Sequence, residues 1–277
     1  IQGNQSMTEK MIIRQADFIL TMDDKRNEFR NQDIRIANGE ITEIGKNLLL
    51  ADETREINAR GCVVTPGLVN THHHLFQTLT KAVPEGQDAL LFGWLKTLYP
   101  IWSKFGPEEI RVSAMTGLAE LALSGCSLTS DHLYLYPNGS RLDDTIDAAK
   151  EIGIRFSPTR GSMSIGESDG GLPPDSLVEK ENLILEDCIR VIDKYHDPNP
   201  ASFIQIGIAP CSPFSVSQDL MRDSALLARD KNVYLHTHLA ENDEDVAYSI
   251  EKFGCRPGQY AEDLGWVGND VWHAHCV

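Results

Sequence analysis

The chain has 277 residues, with 25 Lys and Arg against 41 Asp and Glu, a net charge of −16 with histidine neutral. At 41% apolar and 24% charged residues it has the make-up of a globular protein, which excludes a disordered tail or a collagen-like chain. The acidity argues against a protein that grips a nucleic-acid backbone, which needs a basic footprint, but leaves a free, phosphate-less nucleobase open as a substrate.

In chain order, Met11–Ile13 and Phe18–Leu20 read as short strands. Ile34 and Ile36, then Asn38-Gly39, then Ile41 and Ile44 give the alternation of a hairpin around an Asn-Gly turn. Cys62–Val69 reads as a buried strand broken by Pro66-Gly67. A helix is expected over Pro107–Ser124, with proline in its first turn and Gly125 at its stop. Strands Cys126–Leu133, Ile154–Thr159, Phe203–Ala209, Val233–Leu239 and Val271–Val277 then alternate with helices Asp143–Ile152, Leu177–Tyr195, Gln218–Arg229 and Asp243–Phe253. Gly161–Pro174 reads as a long loop. Alternating strands and helices imply a parallel sheet with right-handed crossovers. Both an open doubly wound sheet and a (β/α)8 barrel fit, with about six units present.

No run of 18 apolar residues occurs, so no membrane span is expected. Ile1–Lys10 is too polar for a secretory signal. Residues 1–6 are expected to be a tag remnant ahead of a start at Met7. The six cysteines (62, 126, 188, 211, 255 and 276) form no C-x-x-C pair. They read as reduced thiols of a cytoplasmic protein.

Seven of the nine histidines fall in three groups, each in or just after a strand: His72, His73 and His74; His236 and His238; His273 and His275. Ligands of parallel α/β folds bind at the carboxyl ends of strands. Side chains two apart on a strand share a face. Hence His72 can converge with His74 while His73 points away, and the same spacing pairs His236 with His238 and His273 with His275. Neutral imidazoles suit zinc or iron, and a catalytic zinc keeps one position open. A lone strand histidine is more often a satisfied core residue, so His73, His132 and His196 are expected to be structural or solvated. Glu241, three residues after His238, suits two roles equally: a proton acceptor beside a metal-bound water, or a first-turn acid of the following helix. No H-E-x-x-H, no P-C-x-x-C and no glycine-rich phosphate loop occurs, which leaves a zincin, a cytidine-deaminase-type site or a nucleotide site without support.

Pro66-Gly67-Leu68-Val69-Asn70-Thr71-His72-His73-His74-Leu75, His236-Thr237-His238-Leu239-Ala240-Glu241 and Ala274-His275-Cys276-Val277 resemble three motifs of the amidohydrolase superfamily, in its aminohydrolase branch. The resemblance implies a (β/α)8 barrel over residues 66–277 and the N-terminal part of a small flanking β-sandwich over residues 7–65. It implies one divalent metal, Zn2+ or alternatively Fe2+, on His72, His74 and His238. Glu241 would be the proton shuttle, and His275 would orient the attacking water. The last strands, an aspartate ligand after strand eight and the rest of the sandwich are expected beyond Val277.

Gln77 matches a purine-contacting glutamine of guanine deaminases. Where those enzymes carry an arginine after strand four, this chain has Cys211. The stretches Phe92–Pro100, Ser130–Tyr134 and Arg160–Ser164 resemble bacterial 8-oxoguanine deaminases, and hydroxyatrazine ethylaminohydrolase-like proteins share much of the pattern. The expected reaction is deamination of 8-oxoguanine to urate and ammonia, with Gln77 and Cys211 holding the ring's edge. Trp94 is expected to pack rather than to stack on substrate. The alternatives are a triazine amino- or chlorohydrolase, an isocytosine-type deaminase, a non-enzymatic metal-binding protein and an inactive truncated chain. The expected partner is a small heterocycle, with neither nucleic acid nor membrane; a homodimer is the base-rate assembly.

Overall fold

A computed structural model describes residues 10–49 and 54–277; the expected tag remnant, 1–6, lies outside them. The chain divides into two units, Ile1–Gly67 and Leu68–Val277.

The first unit holds one five-stranded sheet, with strands β1 (Lys10–Leu20), β2 (Glu28–Ala37), β3 (Glu40–Gly45), β4 (Thr54–Asn58) and β5 (Val63–Val64). Asn38 and Gly39 both adopt positive φ, 56° and 78°, as a two-residue hairpin turn requires. The two strands expected at the start are one strand. It is continuous across a bulge between Ile13 and Ala16, where Gln15 turns to φ 56°. The nearly buried Asp33 carboxylate holds that bulge, accepting from Gln15 N at 2.8 Å, Arg14 Nη1 at 2.8 Å and Leu48 N at 3.0 Å. Ala16, Ile19, Ile34 and Ala59 form a small buried core in this unit.

The second unit holds a six-stranded parallel sheet: β6 (Leu68–Asn70), β7 (Cys126–Leu133), β8 (Arg155–Ser162), β9 (Gly207–Pro210), β10 (Tyr234–Leu239) and β11 (Val271–His275). The stretch Cys62–Val69 is therefore two strands in two sheets, because Pro66 and Gly67 interrupt the ladder between β5 and β6. Spatial order follows chain order from β6 to β11. A doubly wound sheet reverses its order at a switch point; this one never does, and it curls as a half-barrel wall. Its two edges approach: Trp272 Nε1 on β11 donates to the Thr71 carbonyl just after β6, at 3.1 Å. Gly161 permits the close approach of β7 and β8, since a Cβ there would sit 2.3 Å from Leu133 O.

Helices α1 (Leu91–Trp102), α2 (Pro107–Leu123), α3 (Leu142–Ile152), α4 (Glu181–Tyr195), α5 (Gln218–Lys231), α6 (Asp243–Phe253) and α7 (Pro257–Asp263) complete the unit. The core between sheet and helices includes Phe76, Trp102, Phe156, Leu220 and Trp266. Among the described residues, no helix is long and apolar enough to cross a membrane.

Candidate metal centre

The strand ends bring six imidazoles together. Ring centroids of His72 lie 4.7 Å from His74, 5.0 Å from His236, 4.9 Å from His238 and 5.6 Å from His275. His132, at the end of β7, stacks on His238 at 4.8 Å. The loop carrying the first group is pinned by β7: His132 N donates to His73 O at 2.7 Å, and Leu75 N donates to Asp131 Oδ1 at 2.7 Å. His73 points the other way, with its ring toward Gly117 of α2. His273 does not join His275. Its Nε2 donates to Trp266 O at 3.1 Å, whereas His275, the last residue of β11, sits at φ 74°, so strand alternation breaks at it.

Hydrogen bonds fix where the ring protons sit. A carbonyl only accepts, so a ring nitrogen on a carbonyl must carry the proton. His74 Nδ1 lies 2.7 Å from His132 O, His238 Nδ1 lies 2.6 Å from Cys211 O, and His236 Nδ1 lies 2.9 Å from Trp272 O. Burial and the neighbouring imidazoles hold all of these rings neutral: His74, His132 and His238 fall well below the ordinary histidine value, and His72 falls to about 4. For His236 burial is again the main cause, and it falls to about 3. The Nε2 of His236 is thus bare and accepts from His72 Nδ1 at 2.8 Å. His132 donates from Nε2 to Ala209 O at 3.0 Å, and its buried Nδ1 has no hydrogen-bond partner among the described residues.

In these five rings His236 Nε2 is bare but accepts from His72, and four further nitrogens carry no proton: Nε2 of His72, His74 and His238, and Nδ1 of His132. Two of them, His74 Nε2 and His238 Nε2, face each other at 3.0 Å with no proton to share. Two lone pairs at that distance repel, and a cation between them resolves the conflict. Among the described residues, His72, His132 and His238 also place one ligand atom each within 4.8 Å of one another. An all-imidazole donor set of this kind fits zinc and other late first-row metals.

Beside the cluster, Glu241 Oε1 lies 3.6 Å from His275 Nε2. Burial, helped by the charge of Asp245, raises the Glu241 carboxyl to about 7. Glu241 does not cap α6. That position belongs to Asn242, whose side chain accepts from Asp245 N, while Ala240 at φ 50° turns the chain so that Glu241 enters the cavity. The cavity measures about 230 Å3 and is lined by His72, His74, Gln77, Trp94, Tyr99, Tyr134, Cys211, Phe214, His238, Glu241 and His275, among others. That is below the roughly 300–1,000 Å3 of drug-sized pockets and suits a single planar ring system. Gln77 Nε2 donates to Tyr134 OH at 3.3 Å, and its side-chain carbonyl shows no hydrogen bond to any described residue. Burial raises the Cys211 thiol to about 12, so it stays neutral. Trp94 lines the cavity and also packs edge-on against Trp102.

The Amidohydrolase family model matches residues 63–277. The chain belongs to the amidohydrolase family. Among relatives of this amidohydrolase, the 8-oxoguanine deaminase of Pseudomonas aeruginosa is 46% identical over 226 residues, 80% of this chain and 50% of the relative. The hydroxydechloroatrazine ethylaminohydrolase of a Pseudomonas species is 34% identical over 257 residues, 88% of this chain and 53% of the relative. The crystal structure of atrazine chlorohydrolase from Arthrobacter aurescens, complexed with zinc, superposes with a TM-score of 0.89 at 33% identity, covering 96% of this chain and 61% of that one. The chain spans about half the length of the curated relatives it matches.

Sequence reasoning missed two participants. His132 has no spacing partner, and only its buried, partnerless Nδ1 gives it away. Tyr134, two residues on and buried beside Gln77, lies with His132 in the Ser130–Tyr134 stretch of the resemblance, which gave neither residue a role.

Proposed function

We propose that this amidohydrolase is a metal-dependent hydrolytic deaminase of an aminated heterocycle, with 8-oxoguanine, giving urate and ammonia, as the favoured substrate. The carrying observation is the set of bare imidazole nitrogens beside the Glu241–His275 pair, in a cavity of ring size. His72, His74 and His238 would hold the ion, with His132 Nδ1 as a further donor facing the same space. A bound Zn2+, or alternatively Fe2+, supplies Lewis acidity that brings the ionisation of water near neutrality.

The chain's own groups then divide the work. Glu241, with a carboxyl near neutrality, takes a proton at Oε1 from the attacking water and delivers it to a ring nitrogen. His275, within reach of Glu241, orients that water. Gln77 offers a carbonyl to an N–H on the heterocycle's edge, and Cys211 offers a neutral thiol to the opposite edge. Water replaces the exocyclic amine, ammonia leaves, and a carbonyl remains. On the same reading the half-barrel is part of an eight-stranded barrel, the small sheet is part of a β-sandwich, and the free cysteines stay reduced in the cytoplasm.

The triazine relatives favour a second reading with the same chemistry on another ring. Ammonia release from the zinc-loaded protein, with 8-oxoguanine, guanine and hydroxyatrazine compared side by side, separates the two. Preference for 8-oxoguanine supports the proposal. Preference for the triazine keeps the chemistry and discards the purine, and no turnover by zinc-bound protein discards the deaminase.

A further inference from the structure

We infer that His236, which offers no bare nitrogen to the cluster's centre, is a positioning residue that sets the tautomer of His72. The inference rests on the metal-site reading above. His236 is fully buried on β10 and is held from both ends. Its Nδ1 donates to Trp272 O at 2.9 Å, and its Nε2 accepts from His72 Nδ1 at 2.8 Å. Its ring stacks on the Trp272 indole at 4.5 Å and 16°. That indole in turn donates to the carbonyl of Thr71, the residue before His72.

The relay runs in one direction. The Trp272 carbonyl demands the proton of His236 Nδ1, which bares His236 Nε2. The bared Nε2 demands the proton of His72 Nδ1, which bares His72 Nε2 toward the cluster. Without His236, either nitrogen of His72 can carry the proton, and half of the outcomes block the atom that faces the ion. An imidazole does this without charge. A carboxylate at a fully buried position beside five other imidazoles would carry a desolvation cost. Outer partners that orient ligating histidines are generally worth about 10–100-fold in metal affinity.

Two variants separate the relay from mere packing. A glutamine amide reaches the place of His236 Nε2, so His236→Gln keeps an acceptor for His72. An asparagine amide reaches only the place of Nδ1, so His236→Asn keeps the Trp272 bond and loses the acceptor. Zinc affinity is measured by competition with a chromophoric chelator, and ring tautomers by 15N resonances of the metal-free protein. We expect His236→Asn to lose about 10–100-fold in affinity, while His236→Gln stays within a few-fold of the parent. In the metal-free parent, His72 should carry its proton on Nδ1. Equal affinities in both variants, whether retained or lost, overturn the relay, as does a parent His72 protonated on Nε2. A parent with the expected tautomers that binds no zinc instead overturns the metal-site reading and removes the relay's purpose.

Discussion

Glu241→Gln separates chemistry from architecture. The substitution keeps size and shape, and it spares the hydrogen bond from Glu241 N to Asp245 Oδ2 at 2.9 Å. Asn242 still caps α6, and no imidazole loses a carbonyl partner. If Glu241 moves the proton, kcat falls by roughly 10²–10⁴-fold, the usual worth of a placed general acid–base, or about 3–5 kcal/mol of barrier. Zinc content stays that of the parent. Stability moves the other way. The folded carboxyl titrates at about 7 against an ordinary 4.5, mainly from burial, so between those values the folded state binds more protons than the unfolded one. Stability is therefore lost as pH rises through this window, by about 3 kcal/mol once both states are ionised. The metal-free Gln variant escapes most of that loss and should be more stable than the parent at pH 8 but not at pH 4. Ammonia release, zinc analysis and urea denaturation at the two pH values test the three parts. Activity within tenfold of the parent refutes the proton role, and a stability gain that is the same at both pH values refutes the burial argument.

Other outcomes follow from the same structure. Arg160, 2% exposed, donates to both Glu179 oxygens and to Asp187 Oδ2 and lies 4.0 Å over the Tyr136 ring; Arg160→Met should cost about 3–5 kcal/mol in urea denaturation, because Glu179 loses its cation and Asp187 keeps only Arg190. Burial alone would raise the Asp143 carboxyl, but hydrogen bonds from Arg190, Lys194 and Tyr195 outweigh it and hold the group well below the usual range. Its contribution is present above the ordinary carboxylate value and lost as pH falls below it, so Asp143→Asn should destabilise at pH 7 and much less at pH 2. Gln77→Leu should raise KM for 8-oxoguanine by roughly 2- to 12-fold, the ~0.5–1.5 kcal/mol of one neutral hydrogen bond, with zinc affinity unchanged.

The half-barrel was legible because its signals are local. Apolar strands alternate with helical stretches, and the Asn38-Gly39 hairpin carries its own turn chemistry. The histidine groups were legible for the same reason, since spacing on a strand fixes the shared face. Non-local features were not. Helix α1 was not identified because Pro100 lies inside it, and helix α7 because only seven residues form it. β1 reads as two strands until Asp33, from the neighbouring strand, closes its bulge. The expected pairing of His273 with His275 failed on a backbone turn that no residue type announces. Which nitrogen of each imidazole is bare depends on carbonyls of β7, β9, β11 and the loop after β9, and spacing says nothing of these.

The most direct test of the account is a zinc titration of the metal-free protein, followed by chelator competition and repeated with His238→Ala. The converging bare nitrogens predict one tightly held zinc per chain, bound through nitrogen and lost in the variant. A parent that retains no zinc, or a His238→Ala protein that holds it equally well, would contradict the account.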